Sequence, residues 1–412
     1  MWKSLLGICL TICLTFRVPA SDIWSQWRGP SRDGSIRSEL WPARLAEDAL
    51  QQQWQVKLGP GYSGPLITTD RVFVTETRDQ QDEVVRALDR QTGEKIWSVS
   101  WPGAMTVPFF AAANGSWIRS TPALDGNDLF VAGMRDVLVC LDATTGTQRW
   151  RVDFVKSLQT PLPSFGCVCS PLVDGDAVYL QAAAGFVKLD RQSGKILWRT
   201  LDDGGGMYGS AFSSPTIAVL SGQRQAIVQT RSKLAGVDLS SGAELWSTEV
   251  EAFRGMNILT PTVIGDRVFT SSYGGGSYLF EVSGSATDGF SVKPLWRNKA
   301  QAYMSSPVVI DGHVYVHLRN QRFACINLET GKEQWISQPF GRYWSMIARG
   351  DQILALDERG ELLLIAASPT ELNVLDRRQI SDQPAWAHLA LAGADIVIRD
   401  LQSVRLLRMS TP

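Results

Sequence analysis

The sequence of 412 residues is poor in cysteine, has almost no net charge and contains no long amphipathic helix pattern. Six cysteines are too few for a disulfide framework in a chain of this length. The formal net charge is -1, and 40 basic residues are mixed with 41 acidic ones, so no basic stripe marks a nucleic-acid interface. The fold must therefore be stabilised by a hydrophobic core, which an apolar content of 44% can supply.

The one pronounced apolar run lies at the N-terminus. Lys3 precedes an apolar stretch over residues 5–16, and residues 18–20 offer a small-residue cleavage site. The stretch is short for a helix that spans a bilayer, although an uncleaved anchor is the alternative. We therefore predict that residues 1–20 are a signal peptide and that no transmembrane segment remains after its removal. The protein would then be exported, to the periplasm or to the cell exterior.

A short motif that ends in tryptophan recurs through the chain, as in LDRQTGEKIW and LDATTGTQRW. Its aspartate can accept backbone N–H groups of the turn, and its glycine can adopt the positive φ that a hairpin needs. The tryptophan then packs between neighbouring sheets. The spacing of 39 to 53 residues between successive copies is typical of β-propeller blades. The tryptophans with this structural role are Trp54, Trp97, Trp150, Trp198, Trp246, Trp296 and Trp335.

A second marker, a small residue followed by proline and a β-rich run, recurs in phase with the first. Six clear copies and two degenerate ones give eight repeats, each with room for four strands. The last repeat has only three strands, and residues 50–58 can supply the fourth, which would hide both sheet edges. We predict an all-β, eight-bladed β-propeller over residues 50–412, closed by an N-terminal strand that completes the last blade. Residues 21–49 form a lead-in segment.

The copies that end at Trp97 and Trp150 resemble the tryptophan-docking repeat of quinoprotein dehydrogenase-type β-propellers, usually called PQQ-like repeats. Residues 24–34, WSQWRGPSRDG, are similar to the lead-in of secreted bacterial members. The resemblance implies an eight-bladed fold with two functional branches. One comprises enzymes that hold pyrroloquinoline quinone (PQQ) and calcium. The other comprises non-catalytic scaffolds, such as the lipoprotein of the outer-membrane β-barrel assembly machine.

The enzyme branch implies a calcium site of Glu, Asn and Asp, an adjacent-cysteine disulfide and a stacking tryptophan. Here the loops before the prolines contain few acids, and Val168 separates Cys167 from Cys169. His313 and His317 lie four apart on a strand, too far from each other to share a metal ion. We therefore expect no catalytic residues and no metal, with PQQ and calcium as the alternative cofactor. Two thiols, a local disulfide and a soft-metal site stay open for the cysteine pair.

The loops that link the blades should gather around one mouth of the central channel. Their aromatic and arginine side chains suit stacking and hydrogen bonding to a sugar, a carboxylate or a peptide. Packing that merely plugs the channel is the alternative. The candidate ligand-binding residues are Tyr62, Arg119, Tyr208, Arg254, Tyr303, Arg342, Trp344 and Trp386, with Trp117, Tyr343 and His388 beside them. The insertion 101–117 exposes Phe109 and Phe110 as a lid or a docking knob.

These features predict a non-catalytic binding or scaffolding propeller of the bacterial envelope that uses the channel-mouth loop face. We expect a monomer whose partner is an envelope protein or a glycan, and not nucleic acid. A divergent quinone-dependent, dehydrogenase-like enzyme and a polysaccharide-binding module are the alternatives.

Overall fold

The computed structural model of the protein describes residues 23–38, 40–209 and 212–410, without the side chain of Tyr208. The predicted signal peptide, residues 1–20, lies outside the described residues. None of the helices in the described ranges has the length and apolarity that a membrane-spanning helix needs.

Eight antiparallel sheets of four strands each form the described chain. We number them as blades 1 to 8. Blade 1 contains β2 Leu66–Ile67, β3 Arg71–Arg78, β4 Asp82–Asp89 and β5 Lys95–Pro102, and blade 2 contains β6 Ala123–Asp125, β7 Asp128–Gly133, β8 Val137–Asp142 and β9 Gln148–Asp153. Blade 3 contains β10 Leu172–Asp174, β11 Ala177–Ala182, β12 Gly185–Asp190 and β13 Ile196–Thr200, and blade 4 contains β14 Thr216–Leu220, β15 Gln223–Gln229, β16 Lys233–Asp238 and β17 Glu244–Glu249.

Blades 5 to 8 follow in chain order, and the last includes the first strand of the chain. Blade 5 contains β18 Thr262–Ile264, β19 Arg267–Ser272, β20 Gly276–Ser285 and β21 Gly289–Asn298, and blade 6 contains β22 Val308–Ile310, β23 His313–His317, β24 Arg322–Asn327 and β25 Glu333–Pro339. Blade 7 contains β26 Trp344–Arg349, β27 Gln352–Asp357, β28 Glu361–Ala366 and β29 Asn373–Gln379, and blade 8 contains β30 Ala390–Ala392, β31 Asp395–Arg399, β32 Ser403–Met409 and β1 Leu50–Lys57. The helical pieces are short: α1 Phe154–Leu158 and the 3-10 turns Phe109–Asn114, Gly206–Tyr208 and Phe253–Gly255.

Each blade is a meander whose strands differ in burial. The second strand, such as β7, is buried along its whole length because blades pack against both of its sides. The fourth strand, such as β5, buries mainly its tryptophan positions and exposes the rest. Apolar side chains between neighbouring blades thus form the core, and Trp24 and Leu45 of the lead-in segment belong to the same buried cluster.

The tryptophan of one blade docks onto the turn of the next. The indole N–H of Trp97 donates to the carbonyl oxygen of Ala143 at 3.1 Å. A Cβ on Gly146 would lie 2.7 Å from that indole, and φ is +76° there, so the turn requires glycine. The Asp142 carboxylate accepts the N–H groups of Thr144 and Thr145, both at 2.9 Å. The repeated motif is therefore a connector between blades.

Blade 5 departs from this pattern. Its last hairpin joins the long strands β20 and β21 and lacks the Asp-to-Gly turn. Trp246 of blade 4 has no such turn to dock onto, and its indole N–H donates to Gln225 of its own blade at 2.7 Å. Its ring packs instead with Tyr278 and Phe280 of blade 5.

The ring is closed by its two chain ends. Strand β1 pairs antiparallel with β32, from Leu50 opposite Met409 to Lys57 opposite Ser403. The indole N–H of Trp54 donates to the carbonyl oxygen of Arg90 in blade 1 at 2.9 Å. The predicted eight-bladed fold and its closure by the N-terminal strand are confirmed.

Candidate functional site

The channel has two unlike ends, which we call the loop face and the turn face. In every blade the first strand runs from an inter-blade loop to its first hairpin, so all inter-blade loops emerge on one side. The loop face carries residues 58–65, 103–122, 154–171, 201–209 with 212–215, 250–261, 299–307, 340–343 and 380–389. The turn face carries the hairpins that contain the tryptophan-docking glycines.

The lead-in segment fills the channel from the turn face and contacts the inner edge of all eight blades. Ile23, Ser25 and Pro30 line a cavity of 480 Å³ with hairpin residues of blades 1 and 2. The contacts, in blade order, are Trp24 with Ile67, Ser25 with Leu124, Arg32 with Pro171 and Pro215, Trp27 with Thr260, Arg28 with Pro307, Ile36 with Ala348, and Trp27 with His388. The lead-in segment therefore occupies the channel from the turn face down to the loop-face starts of the inner strands of blades 3 to 6 and 8.

Two buried arginines make the deepest of these contacts. The Arg32 guanidinium donates to the carbonyl oxygens of Pro215 at 3.0 Å, Pro171 at 2.8 Å and Ser170 at 3.2 Å. Arg28 donates to the carbonyl oxygens of Asp33 and Pro307. Burial lowers the pKa of each guanidinium to about 10, so both stay charged at neutral pH. Backbone carbonyl oxygens, and not carboxylates, accept the hydrogen bonds that stabilise these two positive charges.

Two of the aromatic residues expected at the mouth lie in the interior, and the prediction that they face a ligand is wrong. Trp344 begins β26 and is only 4% exposed, with its indole stacked on His317 and Phe323 at centroid distances of 5.4 and 5.1 Å. His388 is also buried, and burial lowers its pKa to about 4. Trp344 begins an inner strand and His388 lies two residues before one, so both side chains point into the interior with the strand.

Other predicted residues do meet at the loop face, in what we call the mouth cluster. The Tyr62 ring stacks on Trp386 at 4.2 Å and meets Trp117 edge-on at 5.4 Å. Tyr343 packs against Trp386, with ring centroids 3.7 Å apart. The indole N–H of Trp386 donates to Glu358 at 2.9 Å. These rings are half-buried or buried and largely satisfy one another, so much of this cluster is packing.

Arg119 lies at the centre of the mouth cluster. Its guanidinium donates to the carbonyl oxygen of Gly115 at 2.5 Å and lies 5.7 Å from the Tyr62 ring. Burial lowers the pKa of Arg119. The nearby phenols of Tyr62, Tyr343 and Tyr303 act in the opposite direction and raise that pKa, but burial is the larger effect. Burial raises the pKa of all three phenols, which are therefore neutral at physiological pH.

The insertion between blades 1 and 2 spans the mouth. Asn114 approaches the Tyr343 hydroxyl group at 3.4 Å on one side, and Phe110 meets Phe165 at 6.0 Å on the other. Phe109 is 91% exposed. The insertion thus covers part of the mouth and presents an apolar side chain to solvent, which suits both roles expected of it.

A second region lies on the loop face around blades 2 to 5. Phe110, Phe165, Met207, Arg231, Arg254 and Met256 line a pocket of 320 Å³, which we call the arginine pocket. Arg254 is exposed, whereas the Arg342 side chain lies at the mouth cluster and is also exposed. Tyr303 lies further round, against Tyr273 at 5.7 Å. The side chain of Tyr208 is outside the described part of the chain.

Sequence reasoning missed several of these residues. Phe165 precedes a proline marker and could have been chosen with the other loop aromatics. Arg231, Tyr273 and Arg319 lie in hairpins between the second and third strands, which also point to the loop face. Nothing in the repeat pattern marks those hairpins, so only the folded ring brings Arg319 to within 4.0 Å of the Tyr273 ring.

A calcium-bound quinone would need several oxygen ligands that converge on the ion. No three His, Cys, Asp or Glu side chains converge to hold a metal ion anywhere in the described ranges. The buried carboxylate of Glu83 is committed to the Trp101 indole at 2.8 Å and to the Met134 N–H at 2.6 Å. Cys140, Cys167, Cys169 and Cys325 are buried free thiols.

Fold and site together define the class: an eight-bladed β-propeller of the tryptophan-docked type, with its channel filled by the lead-in segment and its loop face lined by aromatic and arginine side chains. The chain belongs to the family described as outer membrane protein assembly factor BamB, whose model matches residues 81–337.

Individual proteins are similar to this chain over different lengths. BamB of Moranella endobia is 24% identical over 310 residues, which cover 69% of this chain and 71% of that protein. The crystal structure of BamB from Moraxella catarrhalis superposes with a TM-score of 0.62 at 16% identity, over 88% of this chain and 98% of the other. A polyvinylalcohol dehydrogenase of a Sphingopyxis species is 28% identical over 197 residues, 44% of this chain and 28% of that enzyme.

Proposed function

We propose that this protein is a non-catalytic scaffold of the bacterial envelope that binds a protein partner through its loop face. The observation that carries the proposal is the grouping of exposed aromatic and arginine side chains on the loop face. The lead-in segment fills the channel itself, so the loops and not the channel offer a binding surface. Such side chains are enriched at protein interfaces. The relatives are named as outer membrane protein assembly factors, which supports an exported location and a role in protein assembly.

Photo-crosslinking in the native host tests the proposal directly. A benzophenone amino acid replaces Phe109, which is exposed on the loop face. The matched control replaces Gln192, which is exposed in the docking turn of blade 3 on the turn face. We expect one discrete adduct with an envelope protein from position 109 and none from position 192. Equal labelling from both positions, or no adduct from position 109, would overturn the proposal.

The similarity to polyvinylalcohol dehydrogenases keeps a quinone-dependent enzyme as the second candidate. Calorimetric titration of the purified protein with PQQ plus calcium separates the two candidates. Stoichiometric binding would favour the enzyme. A polysaccharide ligand would stack on exposed rings, so glycan-array binding that is lost in Trp117→Ala would favour a carbohydrate-binding module. Trp344→Ala does not suit this test, because that side chain is in the core.

A further inference from the structure

The arginine pocket stands out from the rest of the surface because exposed apolar side chains concentrate there. Of the ten large apolar side chains that are exposed in the described ranges, Phe109, Phe110, Met207 and Phe253 lie in the loops that border this pocket. Five of the others lie singly on fourth strands, one per blade: Ile96, Leu197, Leu295, Ile336 and Leu375. Scattered apolar residues are normal on a surface, whereas a grouped patch marks an interaction site.

The pocket is also positively charged. Its lining contains Arg231 and Arg254 and no carboxylate. The Arg254 guanidinium is exposed and lies 5.2 Å from the Phe253 ring, and no ion pair of the described chain includes it. Pairing an exposed arginine with a carboxylate next to an apolar surface gives a charge-assisted hydrogen bond with defined geometry.

The backbone around Arg254 is held in place by its neighbours. Arg254 adopts φ +51°, a left-handed conformation that costs energy for a residue with a side chain. The Arg231 guanidinium donates to its carbonyl oxygen at 2.5 Å, and the Phe253 N–H donates to the carbonyl oxygen of Tyr273 at 2.6 Å. Arg231 itself lies 4.8 Å from the Phe212 ring and binds the carbonyl oxygen of Met207 at 3.2 Å. The hairpins that contain Arg231 and Tyr273 therefore hold this backbone in place.

We infer that the arginine pocket binds an extended peptide segment of a partner protein in which an apolar side chain lies next to a carboxylate. The apolar side chain enters between Phe110, Phe165 and the two methionines, and the carboxylate pairs with Arg254. Thioether side chains adapt to different shapes, so the pocket accepts aromatic and branched aliphatic residues alike. This inference rests on the proposed function, since it specifies the chemistry of the partner that the loop face binds.

Fluorescence anisotropy of the purified protein tests the inference. The probe is a labelled short peptide in which phenylalanine and leucine alternate with glutamate, compared with peptides that carry lysine or serine in place of glutamate. We expect the acidic peptide to bind at least about tenfold more tightly than the serine peptide, and the lysine peptide not to bind. Arg254→Glu should weaken binding of the acidic peptide about tenfold or more, and Arg254→Lys should retain part of it.

Arg37→Glu provides the matched control, because Arg37 is exposed on the lead-in segment and its replacement changes the net charge equally. It should leave binding within about twofold of the unmodified protein, since only general charge attraction would change. Equal affinity for the acidic and serine peptides, or an equal loss in both variants, would overturn the inference. Sedimentation of the protein without peptide tests whether a second copy of the chain occupies the pocket. Self-association that Arg254→Glu abolishes would show that a second copy fills the pocket, and would also overturn it.

The two proposals can fail separately. If position 109 still crosslinks to an envelope protein while no acidic peptide binds, the scaffold function stands and the assigned peptide chemistry is wrong. If the acidic peptide binds and no adduct forms in the host, the pocket is correctly assigned and the partner lies outside the envelope.

Discussion

The channel interior and the loop face use the same kinds of side chain in opposite ways. Inside the channel, Arg28 and Arg32 are buried and donate to backbone carbonyl oxygens at the start of the inner strands. On the loop face, Arg254 and Arg342 are exposed. Tryptophan shows the same division, since Trp24 of the lead-in segment is buried whereas Trp117 is partly exposed in the mouth cluster. Residue type alone therefore does not separate structural from binding roles, because the surrounding backbone decides which groups are already satisfied.

Loss of a channel arginine should have the largest effect on stability. Arg32→Ala removes the donor of three buried carbonyl oxygens from two blades. Each unsatisfied buried acceptor costs about 1–3 kcal/mol, so we expect the free energy of unfolding in urea to fall by about 3 kcal/mol or more. Arg37→Ala, on the exposed part of the same segment, should change it by less than about 0.5 kcal/mol. Similar values for the two variants would show that the lead-in does not hold the ring.

A buried acid near the loop face should give a pH-dependent effect of intermediate size. Asp136 is 1% exposed, one of its oxygens accepts the Ala183 N–H at 2.9 Å, and the other has no partner in the described structure. Burial raises its pKa from the usual 3.8 to about 7. Between these values the folded protein holds a proton that the unfolded chain releases. Stability should therefore fall as the pH rises from 4 to 7, by up to about 1.4 kcal/mol per pH unit.

The difference in unfolding free energy between the unmodified protein and Asp136→Asn isolates this group. Burial lowers the pKa of His317 and His388 to about 4, which gives a pH dependence of opposite sign. Those contributions are present in both proteins and cancel. The unfolding free energy of the unmodified protein minus that of Asp136→Asn should decline from pH 5 to pH 7 and level off above pH 7. A flat difference would mean that Asp136 titrates normally.

A smaller effect on the free energy of unfolding is expected from Arg119, at the centre of the mouth cluster. Arg119→Ala removes the donor to the carbonyl oxygen of Gly115 and the cation beside Tyr62. We expect a loss of about 1–2 kcal/mol and, more specifically, faster hydrogen exchange in residues 103–117 than elsewhere. Arg342→Ala, at an exposed guanidinium of the same face, is the control. Unchanged exchange in the insertion would show that Arg119 does not anchor it.

The smallest effect should come from the exposed arginine of the pocket. Because Arg254 has a left-handed backbone, Arg254→Gly should be about 1 kcal/mol more stable than Arg254→Ala. Both variants should lose affinity for the acidic peptide to a similar degree, because both lack the guanidinium. Thermal unfolding and anisotropy measure the two effects separately. If Arg254→Ala were the more stable variant, the backbone strain assigned to this loop would be wrong.

The sequence predicted the site less well than the fold, for a definable reason. The loops before the prolines were assigned correctly to one face, and five of the eight candidate residues, Tyr62, Arg119, Tyr303, Arg342 and Trp386, lie at or around the mouth. Trp344 failed because a residue at the start of an inner strand can turn into the core. The residues predicted from the sequence did not include the whole arginine pocket, because Arg231 comes from a hairpin that the repeat motif does not mark.

The sequence by itself determined the number of blades, the docking of tryptophans onto glycine turns and the closure by residues 50–58. These features depend on turn chemistry and strand patterning that repeat within about fifty residues and are therefore readable locally. Only the tertiary structure decided that the lead-in segment fills the channel and that the mouth divides into a packed cluster and an open pocket. Those outcomes depend on which backbone carbonyl oxygens and rings from distant blades come together, and closing the ring fixes this for all eight blades at once.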